Sequence, residues 1–446
     1  MSGPVLTSSF GLRMSAFTAL YLAQGVPIGL FSIALPAWLV EQGADAADIA
    51  ALVAVTGLPW AFKLIAGPFM DRFSFPAMGR RRPWVMGAQA GFTVSMVSLA
   101  LVSGPSDGLW PIMVIGFVIN TFAAVQDVAV DGMAIDVLPI SERGRANAFM
   151  AFGQAAGFSG FGALDGYLLS RFGLGVTAIV SAAAIGAVLV FVAVTREREG
   201  ERLLPWTAGM ATAREIAPAR SMLEILRDIL RVLLLPMSLL LIAVEFLARA
   251  GSGVGLAIMP VLAVDELGYA SEVYAYWLGL MGGLSAFVGI FCGPAIDRLG
   301  ARKVLVVGLL GGSLVTVAYA LAAGARGTAG FDLTMLAAAQ IFGQVFFVSM
   351  IAMFMGICWA RVAATQFAIY MSLANLARSA GAGAFALVAT DLSVFDALYL
   401  VAALSVAAVL LLQRFDPAAH AARLALIDEE RLAPRQTERE SRTPTP

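Results

Sequence analysis

Apolar runs of about twenty residues recur along almost the whole chain and are separated by short polar segments. Because an α-helix rises about 1.5 Å per residue, each run can cross the ~30 Å hydrocarbon core of a bilayer. We count about twelve runs, at 14–40, 49–70, 83–103, 110–138, 146–170, 174–194, 237–264, 273–296, 303–323, 333–357, 364–388 and 393–414. Helices satisfy their own backbone hydrogen bonds in lipid, whereas a β-barrel would show short alternating segments. The pattern predicts an all-α membrane protein.

Composition supports the same class. Hydrophobic residues make up 60% of the 446 residues and charged residues only 13%, against roughly 25% charged in a soluble domain. The two cysteines, Cys292 and Cys358, lie in apolar runs, and His420 is the single histidine. These residues give poor support to a disulfide scaffold, a zinc site or histidine-based catalysis. We expect no metal, no cofactor, no enzymatic activity and no nucleic-acid partner.

Charge alternates between successive connections. Basic residues follow the second, fourth and eighth runs: Arg72, Arg80, Arg81, Arg82, Arg143, Arg145, Arg298, Arg302 and Lys303. The opposite connections carry mainly acids: Glu41, Asp45, Asp48, Asp107, Asp265, Glu266 and Glu272. Cytoplasmic loops of membrane proteins hold the excess of Lys and Arg, so both termini are predicted to be cytoplasmic.

A charged segment at 195–236 divides the runs into six and six. We therefore predict an N-terminal half at 1–194, a cytoplasmic linker at 195–236, a C-terminal half at 237–414 and a disordered cytoplasmic tail at 415–446. Apolar residues recur at helical spacing near the end of the linker: Met222, Leu223, Leu226, Ile229, Leu230 and Leu233. This pattern predicts an amphipathic helix, either on the inner membrane surface or packed on the cytoplasmic end of the bundle.

The two halves share a repeated motif. The sequence GPFMDRF at 67–73, followed by GRRR at 79–82, matches GPAIDRLGARK at 293–303. Each copy follows the second run of its half. Duplicated six-helix halves are typical of alternating-access carriers, whose substrate site lies between the halves near the membrane midplane.

G-x-x-x-D-R followed by a basic cluster, present twice, resembles the loop signature of the major facilitator superfamily over essentially the whole chain. IDVLPISERGRA at 135–146 is similar to the D-x-x-P-x-x-x-R-G element of that superfamily. The resemblance implies the major facilitator fold, about twelve helices in two halves, in the inner membrane.

A narrower resemblance lies in the first half. LPWAFKLIAGPFMDRF with GRRRPW, and then QDVAVDGMAIDVLPISERG, resemble the AmpG-type muropeptide permeases and the related acetyl-CoA transporters. AmpG-like siderophore importers belong to the same wider group. The resemblance implies proton-coupled import into the cytoplasm.

Three aspartates interrupt the fourth run. Asp127 and Asp131 are four residues apart and share one helix face with Asn120. Asp127 lies deep in the predicted membrane, where ionisable groups mark ion or substrate paths. We interpret the pair as a proton-coupling or substrate site, the alternative being a fixed ion pair within the N-terminal half. Lys63, on the second run, has a depth close to that of Asp131, and it is either the partner of the two aspartates or a side chain that reaches the inner headgroups.

The C-terminal half offers further candidates. Glu245 and Arg249 have the spacing of a pair on one helix, and either could also line the cavity. Arg378 is the deep cation of the eleventh run, where it would bind a phosphate, carboxylate or siderophore oxygen or pair with an acid. Uncharged amides that would bind the solute or hold helices together are Gln24, Gln340 and Gln344.

We interpret the charges near the cytoplasmic surface as an inner gate, whose ion pairs form and break as the halves move. Asp136 lies three residues before Pro139 and is predicted to latch with Arg143 or nearby arginines. The remaining candidates are Asp71, Arg72, Arg80, Arg81, Arg82, Asp297, Arg298, Arg302 and Lys303. The alternative is that these basic residues only set the membrane orientation.

Together these observations predict a monomeric secondary transporter that imports a bulky polar solute with protons by alternating access. Its partners would be the bilayer, protons and a muropeptide-like solute. The alternatives are an acyl-CoA or siderophore transporter of the same group, a facilitator without proton coupling, and a non-transporting factor for membrane-complex assembly.

Overall fold

The computed structural model describes residues 4–66, 69–70, 73, 75–102, 104, 108–139, 142–209, 222–359 and 362–440. The N-terminal half contains α1 (Phe10–Glu41), α2 (Ala46–Phe62), α3 (Arg82–Leu99), α4 (Trp110–Val137), α5 (143–172) and α6 (174–194). A linker helix, α7 (Met222–Leu233), precedes the C-terminal half. That half contains α8 (Pro236–Val261), α9 (Ser271–Gly289), α10 (Cys292–Leu299), α11 (Ala301–Leu321), α12 (Ala329–Ile357), α13 (Ala363–Ala386) and α14 (Val394–Leu412), and α15 (Pro417–Glu440) follows it.

The helical segment from Arg145 to Val194 forms two membrane passes. Its helical conformation breaks at Gly173, whose φ of 75° favours glycine. The hydroxyl of Ser181 lies 2.9 Å from Oδ1 of Asp165, although sixteen residues of straight helix would separate the two by about 24 Å. The chain therefore folds back at Gly173, and α5 and α6 form a helical hairpin.

The membrane-spanning segments agree with the predicted fold class. Seven helical segments in the described chain are long and apolar enough to cross a membrane, and α9 with α10, bent by 42°, makes an eighth. One of the seven is the α5–α6 hairpin, which contributes two passes. The shorter or more polar α2, α3 and α13 complete two halves of six spans, which confirms the predicted all-α membrane fold.

The two ends of the bundle pack differently. We call the end that holds Pro4 and Phe415 the terminal end. There the Arg196 amide donates to the Pro4 carbonyl, and the Arg302 guanidinium donates to the Phe415 carbonyl. At the opposite end one apolar core joins both halves, and it includes Leu30, Leu39, Ile49, Ala257, Phe385 and Leu398. Towards the terminal end the core divides into one cluster per half, around Phe17 and Phe354 respectively. The halves are thus joined at the opposite end and separate towards the terminal end.

A close glycine contact joins α1 to α5. A Cβ on Gly25 would lie 2.5 Å from the Gln154 carbonyl oxygen, and one on Gly157 would lie 2.2 Å from the Leu22 carbonyl oxygen. Small residues of this kind let membrane helices approach closely. Both helices contain a π-helical turn beside this contact, Leu30–Ala34 in α1 and Gly157–Phe161 in α5.

The linker helix α7 packs on the terminal end of the C-terminal half. Its Ile229 and Val232 are buried in a small cluster with Trp359 and Val362. This is the second of the two placements considered for the amphipathic helix. Leu226 and Leu230 remain about half exposed.

Residues Pro417–Glu440 of the tail that we predicted to be disordered are instead helical, as α15. The buried His420 ring lies 3.0 Å from the Ile357 carbonyl, and the Trp359 indole donates to the Asp428 carboxylate at 3.1 Å. Leu424 and Ile427 pack against the α7 cluster. Charge-rich composition hid these apolar contacts, which dock the first part of α15 on the bundle.

Candidate functional site

A cavity of about 290 Å³ lies between the two halves. Its lining comes from α1, α2, α4 and α5 on one side and from α8, α12 and α13 on the other. Its polar and charged members are Ser32, Thr56, Lys63, Asn120, Asp127, Gln154, Arg249, Asn375 and Arg378. Aromatic rings of Phe31, Trp60 and Phe347 complete the wall. The site therefore offers both charged groups and flat apolar surfaces to a solute.

Lys63 and Asp127 form an ion pair on the N-terminal wall. Nζ of Lys63, in the 3₁₀ turn that continues α2, lies 2.7 Å from Oδ2 of Asp127 on α4. The side chains are 21% and 6% exposed. Lys63 thus turns inward to the aspartate and does not extend to the headgroups in this structure. The residue placement agrees with the expected partnership.

Trp60 and Asn120 support this pair. The Trp60 indole donates to Oδ1 of Asn120 at 2.9 Å, and the Asn120 amide donates to the Gly116 carbonyl at 2.9 Å. The Lys63 ammonium lies 5.9 Å from the centre of a Trp60 ring. One helical turn separates Trp60 from Lys63, so the indole and the ammonium share a face. Sequence reasoning missed Trp60, although this spacing was visible.

Asp131 has a different environment from Asp127. It accepts a hydrogen bond from the Tyr21 hydroxyl of α1, and it is exposed rather than part of the cavity wall. The two aspartates predicted to act together therefore have separate partners: Asp127 is in a buried ion pair with Lys63, whereas Asp131 contacts Tyr21.

On the C-terminal wall, Glu245 and Arg249 pair along α8. Nε of Arg249 lies 2.9 Å from Oε1 of Glu245, which is almost completely buried. The Arg249 guanidinium also lies 5.1 Å from the ring centres of Phe346 and Phe347. Arg378 of α13 donates to Oδ1 of Asn375 at 3.3 Å. The structure thus brings both predicted arginines to one cavity.

The three predicted glutamines lie away from the cavity lining. Gln24 is buried and accepts from the Gln154 amide at 3.4 Å. Gln340 and Gln344 of α12 pack beside Gly282 and Gly289 of α9. Among the alternatives considered, these positions favour the role of holding helices together.

The predicted gate residues of the N-terminal half pair within that half. Asp136 lies 3.7 Å from Arg80 and 3.8 Å from Arg81. Asp71 and Arg72 lie outside the described residues, as does the side chain of Arg143.

Arg82 was predicted to be a gate residue at the cytoplasmic surface, but the structure places it in the interior. It is only 1% exposed, and its guanidinium donates to four carbonyls, those of Val192, Ala193, Arg202 and Leu203. Beside it, Glu197 accepts from the amides of Arg80, Arg81 and Arg82 at the start of α3. Arg82 and Glu197 therefore fix the linker to α3 and α6, and sequence reasoning missed Glu197.

The contacts described for the gate candidates of the C-terminal half lie within that half. Arg302 donates to the carbonyls of Gln413 at 3.0 Å and Phe415 at 3.3 Å. Asp297, Arg298 and Lys303 are exposed.

Polar contacts across the halves occur at the opposite end. The Ser271 hydroxyl donates to Glu41, and the Ser170 hydroxyl donates to Glu272 at 2.6 Å. Arg171 lies 3.2 Å from the same Glu272 carboxylate. Sequence reasoning used these acids only for membrane orientation. Together with the shared apolar core, they close the cavity at the opposite end.

Two six-helix halves around a charged central cavity define a membrane transporter fold. The family model of the Major Facilitator Superfamily matches residues 17–386. The chain belongs to the Major Facilitator Superfamily, as its repeated loop motif indicated.

Curated relatives are similar to this chain in sequence, and solved structures are similar to it in fold. The chain is similar to the anhydromuropeptide permease of Escherichia coli, in strain K12 and in O157:H7, with 30% identity over 159 residues. The match covers 36% of this chain and 32% of the permease, about a third of that protein's length.

Among solved structures, a D-xylose-proton symporter has a TM-score of 0.66 at 15% identity, covering 92% of this chain and 98% of that chain. A peptide transporter in complex with alafosfalin has a TM-score of 0.69 at 12% identity, covering 94% and 97%. At these identities the similarity concerns the fold alone.

Proposed function

We propose that the protein is a proton-coupled importer of a bulky polar, muropeptide-like solute across the cytoplasmic membrane. The observation that carries the proposal is the Lys63–Asp127 pair on the wall of a cavity between two halves. An ionisable pair deep in a membrane protein is costly, and such groups mark ion and substrate paths.

The pair suits a proton-coupled cycle. Asp127 as a carboxylate binds the Lys63 ammonium, and a proton on Asp127 removes the charge that holds the lysine. In the proposed cycle Asp127 takes a proton from the outside, the loaded carrier changes orientation, and the proton leaves towards the cytoplasm. The closed pair at 2.7 Å then corresponds to the deprotonated carrier after release.

The orientation follows from charge. The terminal end carries the arginine-rich connections, and cytoplasmic loops carry the excess of basic residues. With that end inside, a bundle joined at the opposite end and separate towards the terminal end is an inward-facing carrier. Alternating access would require the contacts of Glu41 and Glu272 to break as the terminal end closes.

The solute class rests on similarity and on the cavity. The matched region of the anhydromuropeptide permease supports a muropeptide-like solute, and amide and charged groups beside Trp60 and Phe347 suit a polar solute with apolar faces. The arginines of the same cavity would also suit a siderophore or an acyl-CoA, which remains the second candidate.

Uptake of a labelled anhydromuropeptide into proteoliposomes tests the proposal. An inward proton gradient should drive accumulation by the native protein, and a protonophore should abolish it. Asp127→Asn should remove accumulation while the protein still folds. Asp265→Asn is the matched control, because Asp265 is exposed at the opposite end. Native accumulation by Asp127→Asn would refute the coupling role, and uptake of siderophores or CoA esters instead would change the solute.

A further inference from the structure

The charges of the central cavity do not balance. Lys63 is paired with Asp127, and Arg249 is paired with Glu245. Arg378 also lines the cavity, and among the described residues it has no carboxylate partner. A cation in a membrane interior is expensive unless it is paired or lines a water-filled or ligand-filled space. The charged residues of the cavity lining, counted with their ion-pair partners, therefore carry one positive charge in excess.

Arg378 retains most of its hydrogen-bonding capacity. Its bond to the neutral Asn375 side chain, at 3.3 Å, is long for a charged donor. A guanidinium has several N–H donors in a planar fork that matches a carboxylate or a phosphate.

Arg249 is held in place beside it. Glu245 binds Nε of Arg249, which leaves the two terminal nitrogens without a hydrogen bond to a described residue. Phe346 and Phe347 flank the guanidinium, each with its ring centre 5.1 Å away. Glu245 is buried and its second oxygen has no hydrogen bond in the described chain. Glu245 thus acts as a positioning residue, because its bond to Nε fixes the orientation of the Arg249 guanidinium.

We propose that Arg249 and Arg378 form a subsite for one anionic group of the transported solute, a carboxylate or a phosphate. The inference rests on the proposed transport function and extends it, because it assigns a specific group of the solute to the C-terminal half. Both arginines belong to that half, on α8 and α13, whereas Lys63 and Asp127 belong to the other. A bound solute therefore bridges an anion subsite on one half and a proton site on the other.

Binding to the purified full-length protein tests the subsite without any gradient. Thermal stability is measured with an anhydromuropeptide and with its fully amidated form, since a ligand of the folded state raises stability with the logarithm of its concentration over its Kd. A CoA ester and its phosphate-free pantetheine ester form a second pair, so that a carboxylate and a phosphate can be distinguished. The native protein should bind at least one acidic compound about tenfold or more tightly than its neutral analogue.

Arginine variants complete the test. Arg378→Gln should abolish this preference, and Arg378→Lys should restore only part of it, because lysine keeps the charge but lacks the fork. Arg326→Gln is the matched control: Arg326 lies over the Phe395 ring, outside the cavity lining. If Arg378→Gln is too unstable to purify, Arg249→Lys replaces it, and a partial loss of preference is expected, because lysine keeps the charge but lacks the fork.

Two outcomes would overturn the subsite: no preference for any acidic compound in the native protein, or an unchanged preference in the Arg378 and Arg249 variants. Loss of proton-driven uptake with the acid preference intact would instead refute only the proposed proton coupling. The two failures are therefore distinguishable.

Discussion

The Lys63 ammonium lies 2.7 Å from the Asp127 carboxylate and joins α2 to α4 across the cavity wall. Pro59 lies within α2 one turn before this lysine, and the helix continues as a 3₁₀ turn from Lys63 to Ile65. Pro59 removes a hydrogen bond from the turn that precedes it, and Phe62 leaves helical geometry, with φ −96° and ψ 2°, immediately before the lysine. The end of the regular α-helix and the buried ion pair thus occur at the same residue, Lys63.

The first prediction concerns the stability of this pair. Lys63→Met should lower the free energy of unfolding by about 3 kcal/mol, because it leaves a buried carboxylate without its cation. The double variant Lys63→Met/Asp127→Asn should recover much of that loss, since neither charge remains. Unfolding of the purified protein in detergent measures both effects. If the losses of the single variants Lys63→Met and Asp127→Asn simply add up in the double variant, the two residues do not interact.

Helical rise placed Lys63 at a depth close to that of Asp131, so the sequence predicted a partnership with the aspartate pair without singling out Asp127. It could not predict the partner of Asp131, because the Tyr21 hydroxyl is uncharged and does not stand out in an apolar helix as a lysine does. Nor could it separate Arg82 from its neighbours Arg80 and Arg81. Only the packing of α3 against α6 and the linker shows that one of three adjacent arginines is buried.

The second prediction concerns the linker. Glu197→Ala should lower the free energy of unfolding by about 1–3 kcal/mol, because the first amides of α3 lose their acceptor in a buried site. Glu199→Ala is the control, because Glu199 is exposed two residues away. Thermal unfolding of both variants provides the measurement, and equal stability of the two would contradict the role of Glu197.

The third prediction concerns the contact of α1 with α5. Gly157→Ala should destabilise the protein by about 1–3 kcal/mol, because the new Cβ would lie 2.2 Å from the Leu22 carbonyl oxygen and force the helices apart. Gly160→Ala, on the same helix, meets nothing within 4 Å and should be tolerated. Thermal unfolding compares them, and equal tolerance of both substitutions would argue against close contact at Gly157.

The fourth prediction concerns the thiol of Cys358, just after α12. Burial raises its pKa to about 11 from an ordinary 9.0, so it holds roughly 100-fold less thiolate at neutral pH. Maleimide labelling of this thiol at pH 7.5 should be correspondingly slow and should accelerate as the pH rises towards 11. Mass spectrometry of the labelled peptide follows the reaction in a Cys292→Ser background. Labelling at pH 7.5 as fast as that of an exposed model thiol would contradict the prediction.

The last prediction concerns the closed end of the cavity. Ser271 donates a hydrogen bond to Glu41 across the halves, so cysteines at these two positions should be joined by a short bis-methanethiosulfonate cross-linker, which spans the distance that the long glutamate side chain covers here. If this end must open in each cycle, the cross-link should stop uptake, and a reductant should restore it.

Arg302→Cys/Gln413→Cys is the matched control pair, because Arg302 and Gln413 contact each other within one half. Its cross-link should leave most of the uptake intact, since it joins two helices that would move together. Both pairs are placed in a background without the native cysteines, and electrophoresis before and after reduction measures the cross-linked fraction. Full uptake by protein that is completely cross-linked between positions 41 and 271 would show that this end does not open during transport. A block by both pairs would show that the cross-link itself, rather than its location across the halves, impairs the carrier.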